Sequence, residues 1–554
     1  MSASVQADQG GTRPLGLARS PAAGIVLSGV VQVVLSALLT WLSFGFNPGE
    51  AHRERPVLLV FGLWMAQFAC YALGCLCVVR ALKAGGGPKD SASPSRLMRP
   101  IVVCALLTRA LQWPSQPIQE VDIYRYLWDG QVARAGISPY QYAPQTIRAL
   151  FLDAPEATAR PAEEDSNISG ADRVVLARLL QHPSMRTILS RIEHGHVPTV
   201  YPPVAQALFL LAASLTPPHC SWYVQMLVLK LVLLGCDLAT LWCMVALLAL
   251  LRQPRVWCIV YAWNPLVLKE VANSGHVDSA AALAVCAAVL ALLCQRVYLA
   301  WIGLMAALLT KMYPLVLAPF FWAATRPAGR HRWAAVGLAG IVSLALQAVF
   351  APCAAPARMY TGLRVFATEW EMNDFLFRGL ERSVSALLTS VEDETLFRLA
   401  PWWPRRMATA VREGEPVAPA FVISYALVAA VLLGTSYRLG RSATAADIPR
   451  RLVSLMVWAY LASPTVNPWY ALWFIPFLPW SRYATWYALP AAVMQYYLRF
   501  WFFYHFPPGE DFWRGMSGPE FFDRWWIWIE HGPILIGWAW ERCLQKASPP
   551  ADER

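Results

Sequence analysis

Residues 222–250 read WYVQMLVLKLVLLGCDLATLWCMVALLAL. A bilayer is crossed by about 20 apolar residues in a helix, and this run exceeds that. Its only charged residues are Lys230 and Asp237. Working outward, further apolar runs cover 22–46, 56–79, 98–113, 202–217, 256–272, 277–295, 297–325, 333–351, 418–437, 452–465, 468–480, 484–504 and 527–543. The run 297–325 is interrupted by Thr310–Pro314, which suggests two short helices meeting at Lys311. The 554-residue chain is 57% hydrophobic and only 15% charged. Soluble domains carry about 25% charged residues, and a soluble unit of this size needs a polar skin that this chain cannot supply. Disorder, a collagen-like chain and a soluble enzyme barrel are therefore excluded. The expected fold is all-α: a polytopic integral membrane protein of about 12–15 transmembrane helices with two long extracytoplasmic loops.

The formal charge of +11 is carried in part by short linkers beside apolar runs. The linkers 80–99 (Arg80, Lys83, Lys89, Arg96, Arg99), 326–332 and 438–451 read as cytoplasmic by the positive-inside rule. Counting from them places 114–201 and the stretch SPTVNPWY before Ala471 outside. Between 202 and 296 simple alternation fails, because it would put the basic pair Arg252 and Arg255 outside. Either 222–250 hides a broken helix or one apolar run does not cross. Two linkers, 114–201 and 352–417, are too long to be structureless. The second contains ATEWEMNDFLFRGLERSVSALL, whose apolar spacing suggests an interfacial helix. The chain thus divides into N-terminal spans (1–113), a first external loop (114–201), a core bundle (202–351), a second external loop (352–417) and C-terminal spans (418–554). Twelve scattered cysteines lack zinc spacing and read as small buried hydrophobes. The run 22–46 is too long for an ordinary signal-peptide core.

The chemistry concentrates in 118–144, IQEVDIYRYLWDGQVARAGISPYQYAP. Carboxylates beside a bilayer are costly unless solvated, paired or functional. Glu120 and Asp122 are two apart, so an extended segment puts both on one side; Tyr124, Arg125, Trp128 and Asp129 follow. One carboxylate suits a general base, and Arg125 suits a phosphate or a carboxylate partner. The alternative is an interfacial belt of aromatic residues and ion pairs.

This segment resembles the first external loop of bacterial GT-C glycosyltransferases, in particular polyprenol-phosphate-mannose-dependent α-mannosyltransferases. The matching positions are Asp122, Tyr124, Arg125, Tyr126, Leu127, Trp128, Asp129, Gly130, Val132, Gly136, Pro139 and Tyr140; Ser138 replaces the usual Asn. Four more motifs follow in order: Tyr201-Pro202-Pro203; Trp263-Asn264-Pro265 with Glu270, Gly275, His276 and Asp278; Lys311, Tyr313 and Pro314; and Pro468-Trp469-Tyr470. Asn467 stands where such enzymes often have His, so a hydrogen bond but no charge is offered there. The resemblance implies a bacterial cytoplasmic (inner) membrane enzyme with its active site on the external face. Its reaction would be inverting transfer of mannose, or of another sugar such as glucose or arabinose, from polyprenyl phosphate to a glycan or glycolipid acceptor. Asp122 would be the catalytic base and Glu120 its acidic companion. No nucleotide-sugar domain, cofactor, metal or nucleic-acid partner is implied. A lipid or sugar transporter or flippase is the reading from a different class.

The remaining candidates each carry a second reading. His276 and Asp278 orient a sugar hydroxyl or phosphate, or simply build a loop. Lys311 contacts phosphate, or snorkels to the interface. Glu270 belongs to a site, or pairs with Lys269 at a helix end. Asp237 reads as a satisfied intramembrane group. His194 and His196 lack a third metal ligand, so His196 is assigned to acceptor or loop contacts. Arg358 and Arg364 face a phosphate or lipid headgroups. Tyr201, Tyr313, Asn467, Trp469 and Tyr470 complete the substrate-binding set. Asn167-Ile168-Ser169 is formally a glycosylation acceptor but says nothing about compartment.

Overall fold

A computed structural model describes residues 20–46, 52–84, 94–153, 168–352, 356–390 and 419–547. Lys89, Asn167 and the 391–417 part of the second long linker lie outside them. Among the described residues all regular structure is helical, apart from two isolated bridges, Met372 with Thr465 and Trp513 with Met516. Five helical segments are long and apolar enough to cross a membrane: Pro21–Phe46, His52–Ala84, Trp222–Leu250, Arg330–Phe350 and Pro419–Arg441. The pair Pro265–Asn273 and Asp278–Leu293, bent by 119°, is either a broken sixth span or a re-entrant loop. The protein is therefore an all-α, multi-pass membrane protein. By length and composition alone this is five or six spans among the described residues, fewer than the sequence suggests. The other apolar runs are short or broken: Pro203–Leu215, Val297–Leu308 and Tyr313–Ala324 are shorter helices, and 468–480 winds as two 3₁₀ segments. Proline explains much of this, since Pro265, Pro314, Pro468 and Pro476 each lack the N–H that would continue an α-helix.

The helices α1 (Pro21–Ser43), α2 (Val57–Ala84) and α3 (Pro94–Gln112) close around the broken segment 259–273. Trp263 is the plug. Its indole N–H donates to the Ile101 carbonyl at 2.9 Å, and Gly29 and Gly74 leave room for its ring. A Cβ at either glycine would come within 3.0 Å of that ring. Deeper in the bundle, Arg109 of α3 meets Asp237 at 2.5 Å, and Tyr261 donates to the same carboxylate at 2.7 Å. Asp237 is thus a fully satisfied intramembrane group.

The alternation problem resolves through α8 (Pro203–Leu215) and α9 (Trp222–Leu250). α9 is continuous. α8 has 13 residues, about 20 Å at 1.5 Å per residue, too short for a core of about 30 Å. Both of its ends stay with the 114–201 segment: Gln206 donates to Asp129, and the Thr216 carbonyl accepts from Gln131. α3 runs beside α9, with Trp113 bonded to the Leu227 carbonyl and Arg109 to Asp237, which brings its basic start, Arg96 and Arg99, toward the end of α9 that carries Arg252 and Arg255. Cys258, which ends the turn Arg255–Cys258, indeed lies 4.0 Å from Met98, between Arg96 and Arg99.

The first long linker folds as α4 (Asp122–Arg134), α5 (Pro144–Phe151), α6 (Gly170–Leu179) and α7 (Pro183–Ser190). Its apolar side chains form one core with α8 and the first half of α9. α4 and α8 touch so closely that a Cβ on Gly130 would lie 2.4 Å from the Phe209 carbonyl oxygen. In the second linker, the apolar pattern read as one interfacial helix is two helices, Thr361–Glu369 and Leu376–Ser390. Between them Met372 pairs with Pro464 and Val466 through its backbone N–H and carbonyl, at 3.0 and 2.8 Å. This strap ties the second linker to the segment leading into Asn467.

Candidate active site

Asp122 is the first residue of α4, after Gln119 in the left-handed region (φ 66°) and Val121 at the cap. The chain is therefore not extended through Glu120 and Asp122, and the two carboxylates do not share a side. Glu120 is buried with its Oε1 unpartnered, whereas the Asp122 side chain is 36% exposed. Burial pushes the Glu120 carboxyl well above the usual range; Lys269 opposes this, and the negative neighbours Asp122, Glu270 and Glu193 add to it. Asp122 Oδ2 accepts from Tyr201 at 2.9 Å and from Tyr126 at 3.4 Å. Its carboxylate also sits in a first helical turn, where the helix dipole favours negative charge.

Behind Asp122 lies a buried charged cluster. The segment Leu268–Asn273 is a π-helical turn, a geometry often found at functional sites. It starts just after Pro265, where the Asn264 side chain caps Leu266 N–H at 3.0 Å. The turn and the bend after it present Lys269, Glu270 and His276. His276 Nδ1 is 4.0 Å from Asp122 Oδ2, and its Nε2 is 3.3 Å from Glu270 Oε2. Trp469 stacks on the His276 ring at 4.4 Å and 10°, fixing its plane. Tyr497 donates to Glu270 at 2.7 Å, and Lys269 bonds Tyr497 at 2.9 Å and Ser274 at 2.7 Å.

Lys311 falls at the break between Val297–Leu308 and Tyr313–Ala324, as its Pro314 neighbour suggests. Its ammonium is 3.3 Å from Asp278 Oδ2, 4.8 Å from the Tyr470 ring centre and 5.5 Å from that of Tyr201. Trp473 donates to the other Asp278 oxygen at 3.0 Å and stacks on Tyr313 at 3.8 Å. Asn467 is buried close by in sequence, with its Oδ1 lacking a hydrogen-bond partner.

The structure thus brings Asp122, Tyr201, Glu270, His276, Asp278, Lys311, Tyr313, Trp469 and Tyr470 into linked contacts across some 350 residues of chain. Others point elsewhere. Arg125 is a buried brace, bonded to the Val197 carbonyl at 2.7 Å and paired with Asp129 at 3.3 Å. Asp129 in turn accepts from Gln206 at 3.1 Å, and its burial raises its affinity for a proton. Tyr124 meets Arg191 at 2.8 Å, and Trp128 is core. These four hold the 114–201 unit together rather than facing the cluster. His196 and Arg364 are exposed outside it. Sequence reasoning missed Tyr497 and Trp473, gave Tyr126 only as a motif position and gave Lys269 only as a neighbour of Glu270. Their signal is weak, since aromatic residues are abundant in this chain. Among the described residues no group of three His, Cys, Asp or Glu side chains is arranged to hold a metal ion. Two surface cavities, of about 310 and 340 Å³, do not have Asp122 in their walls.

No family model, curated protein or solved structure matches the chain. The resemblance to GT-C enzymes therefore rests on the ordered motifs alone.

Proposed function

We propose that this protein is a polyprenyl-phosphate-sugar-dependent glycosyltransferase of a bacterial inner membrane, acting on its external face. The favoured reaction is inverting transfer of mannose from polyprenyl phosphate mannose to a hydroxyl of a glycan or glycolipid. The observation that carries this reading is one accessible carboxylate, Asp122, set at the edge of a buried cluster with a lysine, Lys311, nearby in the same network. In the reaction, Asp122 takes the acceptor hydroxyl proton while the oxygen forms its bond to the sugar's anomeric carbon. The bond from that carbon to the phosphate oxygen breaks, and its electron pair leaves with the polyprenyl phosphate anion. Such a leaving group needs cationic stabilisation rather than a general acid, a role we give to Lys311. His276, fixed between Asp122, Glu270 and Trp469, orients Asp122 or a sugar hydroxyl. With Asp122 at the external end, the basic linkers lie on the cytoplasmic side, as the positive-inside rule asks.

The test uses purified protein with radiolabelled polyprenyl phosphate sugars, nucleotide sugars and membrane glycolipid acceptors. Product should form with the lipid donor alone. Lys311→Ala should raise the donor KM more than the acceptor KM. Product from nucleotide sugars only would reject the reading. Substrate accumulation in vesicles without bond formation would instead favour a transporter.

A further inference from the structure

A second surface, between the two long linkers, has no part in that reaction scheme. His194 adopts φ 51°, uncommon for a residue with a side chain. Its exposed ring lies 4.5 Å from the Trp370 ring centre, and Trp370 meets Phe366 at 5.3 Å. Trp370 and Phe366 are half-buried, Phe366 packing against the main apolar core, so the three rings make a partly covered shelf at its edge. The shelf joins the two long linkers and is held firmly. Thr465 donates to the Trp370 carbonyl at 3.0 Å. The helix carrying Phe366 presses on residues 198 and 199, where a Cβ on Gly362 would lie 2.6 Å from both carbonyl oxygens.

Gly195, next in the chain, forms part of the wall of the 310 Å³ cavity, with Gln145, Arg148, Asp153 and Ile192. This volume lies at the small end of the range for small-molecule sites, about 300–1,000 Å³. The cavity offers an amide, a guanidinium and a carboxylate, and Arg148 pairs with Asp153 at 3.3 Å. One cation and one anion cancel, so the site suits a neutral polar ligand better than a phosphate. A pyranose is such a ligand: its C–H face packs on aromatic rings, and its hydroxyls match amide, guanidinium and carboxylate groups.

We propose that the His194–Trp370–Phe366 shelf and the adjoining Gln145–Arg148–Asp153 cavity form a glycan subsite, holding part of an acceptor oligosaccharide away from the reacting hydroxyl. The word acceptor rests on the transfer reading above; the sugar site itself does not.

The experiment has two readouts on the full chain in detergent. One is equilibrium binding of fluorescently labelled mannobiose. The other is initial-rate transfer to mannobiose and to methyl α-mannoside. Trp370→Ala should weaken mannobiose binding by about 10-fold, the scale of one good aromatic contact with its buried area. It should raise the mannobiose KM by a similar factor while leaving kcat and the methyl mannoside KM nearly unchanged. Trp370→Phe should restore most of the binding. Arg148→Ala, on the cavity side, is the second variant and should also weaken binding if Trp370→Ala fails to fold. Unchanged mannobiose affinity in folded Trp370→Ala and Arg148→Ala overturns the subsite, as does a wild-type protein that binds no mannobiose. Binding that depends on Trp370 without any sugar transfer supports the subsite and rejects the transfer reading.

Discussion

Asp122→Asn separates chemistry from folding at this site. The replacement is nearly isosteric, and an Asn oxygen still accepts the Tyr201 hydrogen bond now made at 2.9 Å. The side chain is 36% exposed, so little desolvation changes. The main structural loss is a negative charge in the first turn of α4, worth about 0.3–1 kcal/mol. The catalytic loss is larger. A general base contributes roughly 10²- to 10⁴-fold, or about 2.7–5.5 kcal/mol of barrier. Turnover should therefore fall at least 100-fold while thermal stability in detergent drops only slightly. Glu120→Gln should cost less turnover, because burial already favours the neutral form of that carboxyl. Initial rates with labelled donor, paired with a thermal unfolding curve for each variant, decide the matter. A well-folded Asp122→Asn enzyme within about 10-fold of wild-type turnover would refute the assignment of Asp122 as base.

Arg109→Met should destabilise the protein by about 3–5 kcal/mol by leaving Asp237 buried and unpaired, and Arg109→Met with Asp237→Leu should recover most of it; thermal unfolding in detergent reads both. Gly130→Ala should cost about 1–3 kcal/mol or more, because its methyl group would meet the Phe209 backbone in the α4–α8 contact; the same unfolding assay checks this. In the strap of the second linker, burial raises the Glu371 carboxyl to about 7 and that of Asp374 to about 6. Raised carboxyl values favour folding at low pH, so this contribution is lost as pH rises from about 4 through 6–7. Asp374→Asn should flatten the decline in thermal midpoint between pH 5 and 8, and an unchanged slope would contradict the argument.

The amino-acid sequence determined the class of this protein, because hydropathy is a local property. Runs such as 222–250 announce helices without knowledge of their neighbours, and too few charges remain to coat a soluble surface. It also located the break at Lys311, since Pro314 has no N–H to carry the preceding helix on through that point. Where α8 sits was hidden, because only contacts at both its ends tie it to the first linker. The candidate site was legible as a set of motifs but not as an arrangement. Glu120 and Asp122 look equivalent in sequence, yet the start of α4 at Asp122 buries one and exposes the other. Arg125 looks like an anion binder, yet the Val197 carbonyl and Asp129 occupy it. Tyr497 is invisible as a partner of Glu270 because 227 residues separate them. Desolvation and Coulomb energy depend on distances set by packing, so the role of each charge was decided by tertiary structure alone.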